Sequence, residues 1–155
     1  MIFVTVGTHI NGYYRIIKKM DEIAGGIDER VIMQIGHTAY RPVHAEYFDF
    51  TDDELILRLN RDARVVISHA GIGSILTALG QRTPIIIVPR QKKYNEHWDD
   101  HQLEIAEVMK KNENVKVVYD VNDLEGYLKM DLKFTDTYNS NNELLKRISE
   151  SINKL

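Results

Sequence analysis

Six histidines and a few glycine-bearing turns carry most of the chemistry that this sequence could do. His97 and His101 stand four residues apart, the spacing at which two imidazoles on one helical turn ligate zinc. Trp98 occupies the position where a zinc protease needs its glutamate, and no third ligand follows, so no metal centre is expected. Both histidines belong to a very polar run, Asn95-Glu96-His97-Trp98-Asp99-Asp100-His101-Gln102. Acids at a helix start are favoured by the helix dipole, which accounts for Glu96, Asp99 and Asp100. It does not account for His101 and Gln102, which directly precede the apolar Leu103, Ile105 and Ala106 and read as aimed at a ligand.

Two turns could cradle phosphate. Gly7-Thr8-His9-Ile10-Asn11-Gly12-Tyr13-Tyr14 has the two glycines of a phosphate loop, but Tyr13 and Tyr14 replace its lysine and serine or threonine, which argues against a nucleoside triphosphatase. Its backbone N–H groups can still meet a phosphate at a helix start, or Gly7 is a plain turn residue. Gly71-Ile72-Gly73-Ser74-Ile75-Leu76 begins like a dinucleotide fingerprint, with Leu76 where the third glycine or alanine belongs. Two glycines let a backbone approach a ligand, and Ser74 can donate to a phosphate. Arg90-Gln91-Lys92-Lys93 places three cations after an apolar run, as partners for a diphosphate or as a solvated loop. A Gly-x-Ser-x-Gly elbow is absent, so a hydrolase triad has little support.

The elements that must position these residues alternate. Ile2–Val6, Val31–Ile35, Glu46–Phe50, Val65–Ser68, Pro84–Val88 and Val115–Tyr119 read as strands, and the pure Ile/Val content of the Pro84–Val88 run suggests burial on both faces. Helical spacing covers Tyr13–Ala24, a stretch after an N-cap at Thr51 with Glu54 completing a capping box, Gly73–Gly80, Glu96–Lys111 and Asp123–Lys129. Residues 141–155 add an amphipathic helix with Leu144, Leu145, Ile148, Ile152 and Leu155 on one stripe. The fold class is therefore α/β, a Rossmann-like, mostly parallel sheet with helices on both faces. Ligands of such sheets sit beyond the carboxyl ends of the strands, which directs attention to Gly7-Thr8-His9, Gly36-His37, Thr51, His69 to Ser74 and Pro89-Arg90.

Composition sets the outer bounds. The 155 residues suggest one domain spanning 1–155, and a net charge of −3 offers no basic field for nucleic acid. No cysteine is present, which removes a disulfide scaffold, a thiolate metal site and a cysteine nucleophile, and fits a cytoplasmic setting. The longest apolar run, around Ile85–Val88, is far too short to span a bilayer, and the first residues lack the features of a signal peptide.

Val66-Ile67-Ser68-His69-Ala70-Gly71-Ile72-Gly73-Ser74, Pro84 to Arg90 and Asn95 to Ala106 together resemble the C-terminal, donor-binding half of family-28-type glycosyltransferases of the GT-B fold. The opening Phe3-Val4-Thr5-Val6-Gly7-Thr8 and the strand end Gln34-Ile35-Gly36 match as well. The small split-subunit members, eukaryotic and from bacterial capsule and exopolysaccharide synthesis, are most similar; the latter share Val88-Pro89-Arg90-Gln91-Lys92-Lys93-Tyr94. The resemblance implies a subunit of a two-component inverting transferase, moving a hexose or N-acetylhexosamine from a UDP-sugar to a lipid-linked acceptor without a cofactor. A membrane-anchored partner would hold that acceptor and bring this chain to the cytoplasmic face of the membrane. Carried onto this sequence, the donor site comprises Gly7, Thr8, His69, Gly71, Gly73, Ser74, Thr77, Arg90, Glu96, His97, Asp100, His101 and Gln102, with Phe50 and Thr51 near the uracil. His9 is the candidate general base. Relatives usually carry a ribose-binding glutamate where Thr77 stands, and a threonine cannot make that bidentate charged contact. A dinucleotide-dependent oxidoreductase and a non-catalytic interaction subunit are the alternatives.

Overall fold

The four central strands of this chain send apolar side chains to both faces, and that requirement builds the architecture. The computed structural model describes residues 1–136, together with 146, 147 and 150. Six strands form one parallel sheet: β1 (Ile2–Thr5), β2 (Val31–Gln34), β3 (Glu46–Phe48), β4 (Val65–Ser68), β5 (Ile85–Ile87) and β6 (Val115–Val117). Five helices accompany them: α1 (Tyr14–Ala24), α2 (Asp53–Asp62), α3 (Ile72–Gly80), α4 (His101–Met109) and α5 (Leu124–Leu128). Ile2, Val4, Met33 and Ile67 pack on one face with Ile16, Ile17 and Met20 of α1 and Leu124 and Leu128 of α5. Phe3, Val66, Ile85 and Ile87 point the other way, against Leu59 of α2, Ile75 and Ala78 of α3, and Ala106 and Met109 of α4. Each fully buried Val, Ile, Leu, Phe or Met side chain among them contributes roughly 1.5–3 kcal/mol, so both helical layers are held by the same strands.

The strand order is β3-β2-β1-β4-β5-β6. The chain winds outward from β1 to β3, returns to the other side of β1 as β4, and winds outward again. The crossover point lies between β1 and β4, so the turns leaving those two strands diverge and leave a crevice at their carboxyl ends.

Several element boundaries differ from the sequence expectation. The regular part of β3 ends at Phe48, although the carbonyls of Phe48 and Asp49 still accept from Ile35 and Gly36 N–H. The N-cap of α2 is Asp52, whose Oδ1 accepts from Leu55 N–H at 2.8 Å, and not Thr51; a carboxylate answers the positive helix end better than a hydroxyl. The largest difference is α4, which starts at His101 instead of Glu96. Lys92–Tyr94 form a 3₁₀ turn, and Asn95 adopts the left-handed conformation (φ 58°) that ends it. Glu96 then turns inward, and a helix cannot pass through that reversal. The proposed helix over 141–155 lies outside the described residues except at Lys146, Arg147 and Glu150, which are helical.

The β2–β3 connection is pinned by one buried carboxylate. Asp21 of α1 is 1% exposed, and its oxygens accept from Val43, His44 and Ala45 N–H and from the Tyr40 hydroxyl. Burial raises its pKa, but the four donors together outweigh burial and hold it below the usual carboxylate range. The ionised form is thus favoured by folding above the unfolded-state pKa, and that stability is lost as pH falls through the folded value. Asp21→Asn should cost roughly 2–4 kcal/mol at neutral pH, because an amide NH₂ must face N–H donors. Urea denaturation across pH should show that the penalty shrinks toward acid.

Candidate functional site

The turns at the crossover are held apart by an imidazole. The His69 ring lies between Gly7 and Gly71, and a Cβ at Gly7 would stand 2.7 Å from its Cε1, one at Gly71 2.1 Å from its Nε2. Gly7 also adopts φ 70°, a left-handed value that costs glycine little. His69 Nδ1 is 3.1 Å from Ser68 Oγ, and the ring also bonds the Thr5 backbone. Burial, then the positive charge of Arg90, pushes its pKa down to about 3, so the ring is neutral. Two glycines expected to approach a ligand thus make room first for a side chain. Gly73 is different: it is exposed, and a Cβ there would meet nothing within 4 Å.

Arg90 braces the same end of the sheet from inside. It is 0% exposed. Nη2 donates to the Val6 carbonyl at 2.9 Å, and Nη1 donates to the carbonyls of Asn11, Gly12 and Glu96 at 3.0–3.3 Å. Its guanidinium lies 4.6 Å from the centre of the buried Tyr13 ring, whose hydroxyl donates to the Val88 carbonyl. Arg90 was expected to meet a diphosphate; instead its charge is spent on the β1–α1 turn. Gln102 is also turned inward. Its Oε1 accepts from Ala70 N–H at 3.1 Å and Arg90 N–H at 2.9 Å, tying the turn after β4 to the end of β5, and leaves only the amide NH₂ for a ligand. Glu96, 4% exposed, pairs with Arg15 through both oxygens and accepts from Gln91 N–H. These two residues of the expected site are positioning groups. Arg15, which completes the brace, was not singled out from the sequence, and Tyr13 only as a departure from the phosphate loop; their partners Glu96 and Val88 lie more than 70 residues away.

His9 stands at the mouth of the crevice, against His97 (ring centres 4.5 Å) and Trp98 (4.8 Å). Its Nδ1 accepts from Asn11 N–H at 3.1 Å, so the neutral ring carries its proton on Nε2, a buried atom with no partner among the described residues. Burial first, then Arg90 and His97, lowers its pKa. In this tautomer Nε2–H is a hydrogen-bond donor, and Nδ1, which accepts from Asn11 N–H, is the basic atom of the ring.

The remaining candidates divide by exposure. Thr8, Gly73 and, less fully, Ser74 flank the crevice. Thr77 donates its hydroxyl to the Gly73 carbonyl at 2.8 Å, within its own helix. Phe50 is exposed and packs edge-on to His37, 5.0 Å between centres, with Thr51 beside it. His97 and His101 bracket Asp99, at 3.1 and 3.8 Å, and Asp100 accepts from Lys92 N–H. Among the described residues no group of three or more histidines, aspartates or glutamates converges as metal ligands. The Gly71 N-cap of α3 has no side-chain hydrogen bond, so its first N–H groups stay open at the crevice.

The sequence matches the glycosyltransferase family 28 C-terminal domain over residues 1–154. It is 44% identical over 82 residues to the UDP-N-acetylglucosamine transferase subunit ALG13 of Cryptococcus neoformans var. neoformans, covering 52% of this chain and 38% of that protein. This chain spans well under half the length of the curated relatives it matches. Among solved structures, the NMR structure of ALG13 superimposes with a TM-score of 0.62 at 20% identity, covering 93% of each chain. A UDP-glucose: anthocyanidin 3-O-glucosyltransferase in complex with UDP gives 0.63 at 14% identity, covering 94% of this chain and 34% of that one.

Replacing the brace should be costly. Arg90→Lys leaves carbonyls of the β1–α1 turn without donors, and an expected loss of roughly 3 kcal/mol is measurable by chemical denaturation. In NMR titrations, the His69 ring should remain neutral at about pH 5, well below the ordinary imidazole pKa.

Proposed function

This chain belongs to the glycosyltransferase family 28 C-terminal domains, and we propose that it is the donor-binding subunit of a two-component inverting glycosyltransferase. The observation that carries this reading is the turn after β4: an uncapped helix start at the sheet's crossover, with open space at Gly73. The N–H groups of the first turn of α3 and the Ser74 hydroxyl would receive the diphosphate of a UDP-sugar. His9 Nε2–H adds a donor to the developing charge on the UDP leaving group. His9 and His69 are both neutral, so neither brings fixed charge to the crevice. Arg90 acts on the diphosphate through position: it lends a positive field from beneath while its N–H groups hold the turn.

The base that deprotonates the acceptor hydroxyl then lies on a second subunit. That subunit, membrane-anchored in this reading, binds a lipid-linked acceptor and recruits this chain to the cytoplasmic face of the membrane. No helix among the described residues is long and apolar enough to cross a bilayer. The relatives are UDP-N-acetylglucosamine transferase subunits, which makes UDP-GlcNAc the first donor to test. The ribose contact would differ from that of relatives with a glutamate, since the proton of the Thr77 hydroxyl is engaged and only its lone pairs face outward. Residues 1–155 would then form one nucleotide-sugar-binding domain, with the 141–155 stripe as a further partner contact.

One substitution separates stability from binding. Gly73→Ala lies within α3 and meets no neighbour, so it should stabilise the fold by about 0.5–1 kcal/mol. The same methyl group would occupy the diphosphate's approach, and calorimetric affinity for UDP-GlcNAc should fall at least about tenfold. Tight binding of NAD with no heat from any UDP-sugar would overturn the assignment.

A further inference from the structure

Beside the crevice lies a cleft of about 480 Å³ that none of the donor-site residues except Glu96 enters. Its volume falls within the roughly 300–1,000 Å³ typical of small-molecule sites. Gly12 and Thr38 close its floor together with the Arg15–Glu96 ion pair. Tyr14 from α1 and Tyr94 from the 3₁₀ turn supply aromatic walls, 54% and 48% exposed. Both rings are nonetheless braced: Tyr94 lies over the Arg15 guanidinium at 4.4 Å, and Tyr14 meets the edge of Tyr40 at 5.6 Å. Asn95 and His37 complete the rim.

Half-exposed aromatic faces held in place, next to neutral hydrogen-bonding groups, are complementary to a pyranose ring. The ring's C–H face stacks on an aromatic, its hydroxyls meet amide and phenol, and little side-chain entropy remains to be lost. On the floor of the cleft Glu96 neutralises Arg15, while the ammonium groups of Lys18 and Lys93 stand 5.5 and 4.8 Å from the centres of the Tyr14 and Tyr94 rings. The cleft and the crevice share the β1–α1 turn, and Asn11 Nδ2 donates to the Asn95 carbonyl at 3.3 Å across their common rim. We infer that this cleft is a saccharide-binding site and, on the reading of the chain as a donor-binding subunit, that it contacts one sugar ring of the acceptor that the second subunit holds.

The test uses the full chain, ¹⁵N-labelled, with the methyl glycosides of glucose, galactose and N-acetylglucosamine as probes, and separately UDP. At least one glycoside should shift the amides of Tyr14, Ala39 and Asn95, while UDP should shift Gly71 to Ser74 and leave the cleft unchanged. Tyr94→Ala should weaken the glycoside at least about tenfold. Because that change also uncovers Arg15, Ala39→Trp serves as a second variant: it fills the cleft from an exposed position and should abolish the glycoside shifts with UDP binding intact. Glycosides that leave the cleft silent, or that bind the Ala39→Trp protein undiminished, would overturn the inference. A silent Gly71–Ser74 turn with UDP would instead count against the donor-subunit reading alone.

Discussion

The upper end of this sheet depends on one buried guanidinium. Arg90 gathers the carbonyls of Val6, Asn11, Gly12 and Glu96 and stacks on Tyr13, so β1, the turn after it, α1 and the segment before α4 all meet at one side chain. A buried cation is expensive unless its donors are used and its charge is answered. Here four carbonyls, an aromatic face and the nearby Glu96 carboxylate supply the compensation, and Nε alone of the three guanidinium nitrogens has no partner among the described residues. A planar fork with several fixed donors can do this where a lysine ammonium on a flexible stem cannot. The carbonyls in turn gain donors they could not find in regular structure, because the chain there belongs to neither strand nor helix.

From this brace the electrostatics of the crevice follow. The positive charge of Arg90 and burial both depress His69, and both depress His9, so the two imidazoles nearest the crossover are neutral. The Asn11 N–H, on the turn that Arg90 holds, selects the tautomer of His9. Donor groups are therefore aimed outward, while the cation that biases them stays inside. A site built this way suits an anionic group delivered to fixed N–H donors, with little reorganisation when charge develops.

Much of this was legible in the sequence, and what was not has physical reasons. Alternating apolar runs ended by Gly7, Gly36 and the turn at Gly71 disclosed the parallel sheet and the turns that form the crevice. The three cations and one amide of Arg90 to Lys93 look alike in sequence, yet only Arg90 and Gln91 sit in the buried continuation of β5, while the lysines are exposed. The start of α4 was misjudged because its real determinant, the Arg15–Glu96 pair, joins residues 81 apart. Gln102 did leave a signal: with Ala106 and Met109 it completes an i, i+4, i+7 stripe, the spacing of a buried helix face. The protonated nitrogen of His9 could not be read at all without the Asn11 contact.

The central claim is that the turn after β4 receives the diphosphate while Arg90 stays in place beneath. A crystal structure of the chain with UDP tests it most directly. The account predicts phosphate oxygens about 3 Å from the Ser74 amide and hydroxyl and from His9 Nε2, with Arg90 still bonded to the Val6 carbonyl. A diphosphate bound elsewhere, or an Arg90 side chain drawn out of the core to meet it, would contradict the account.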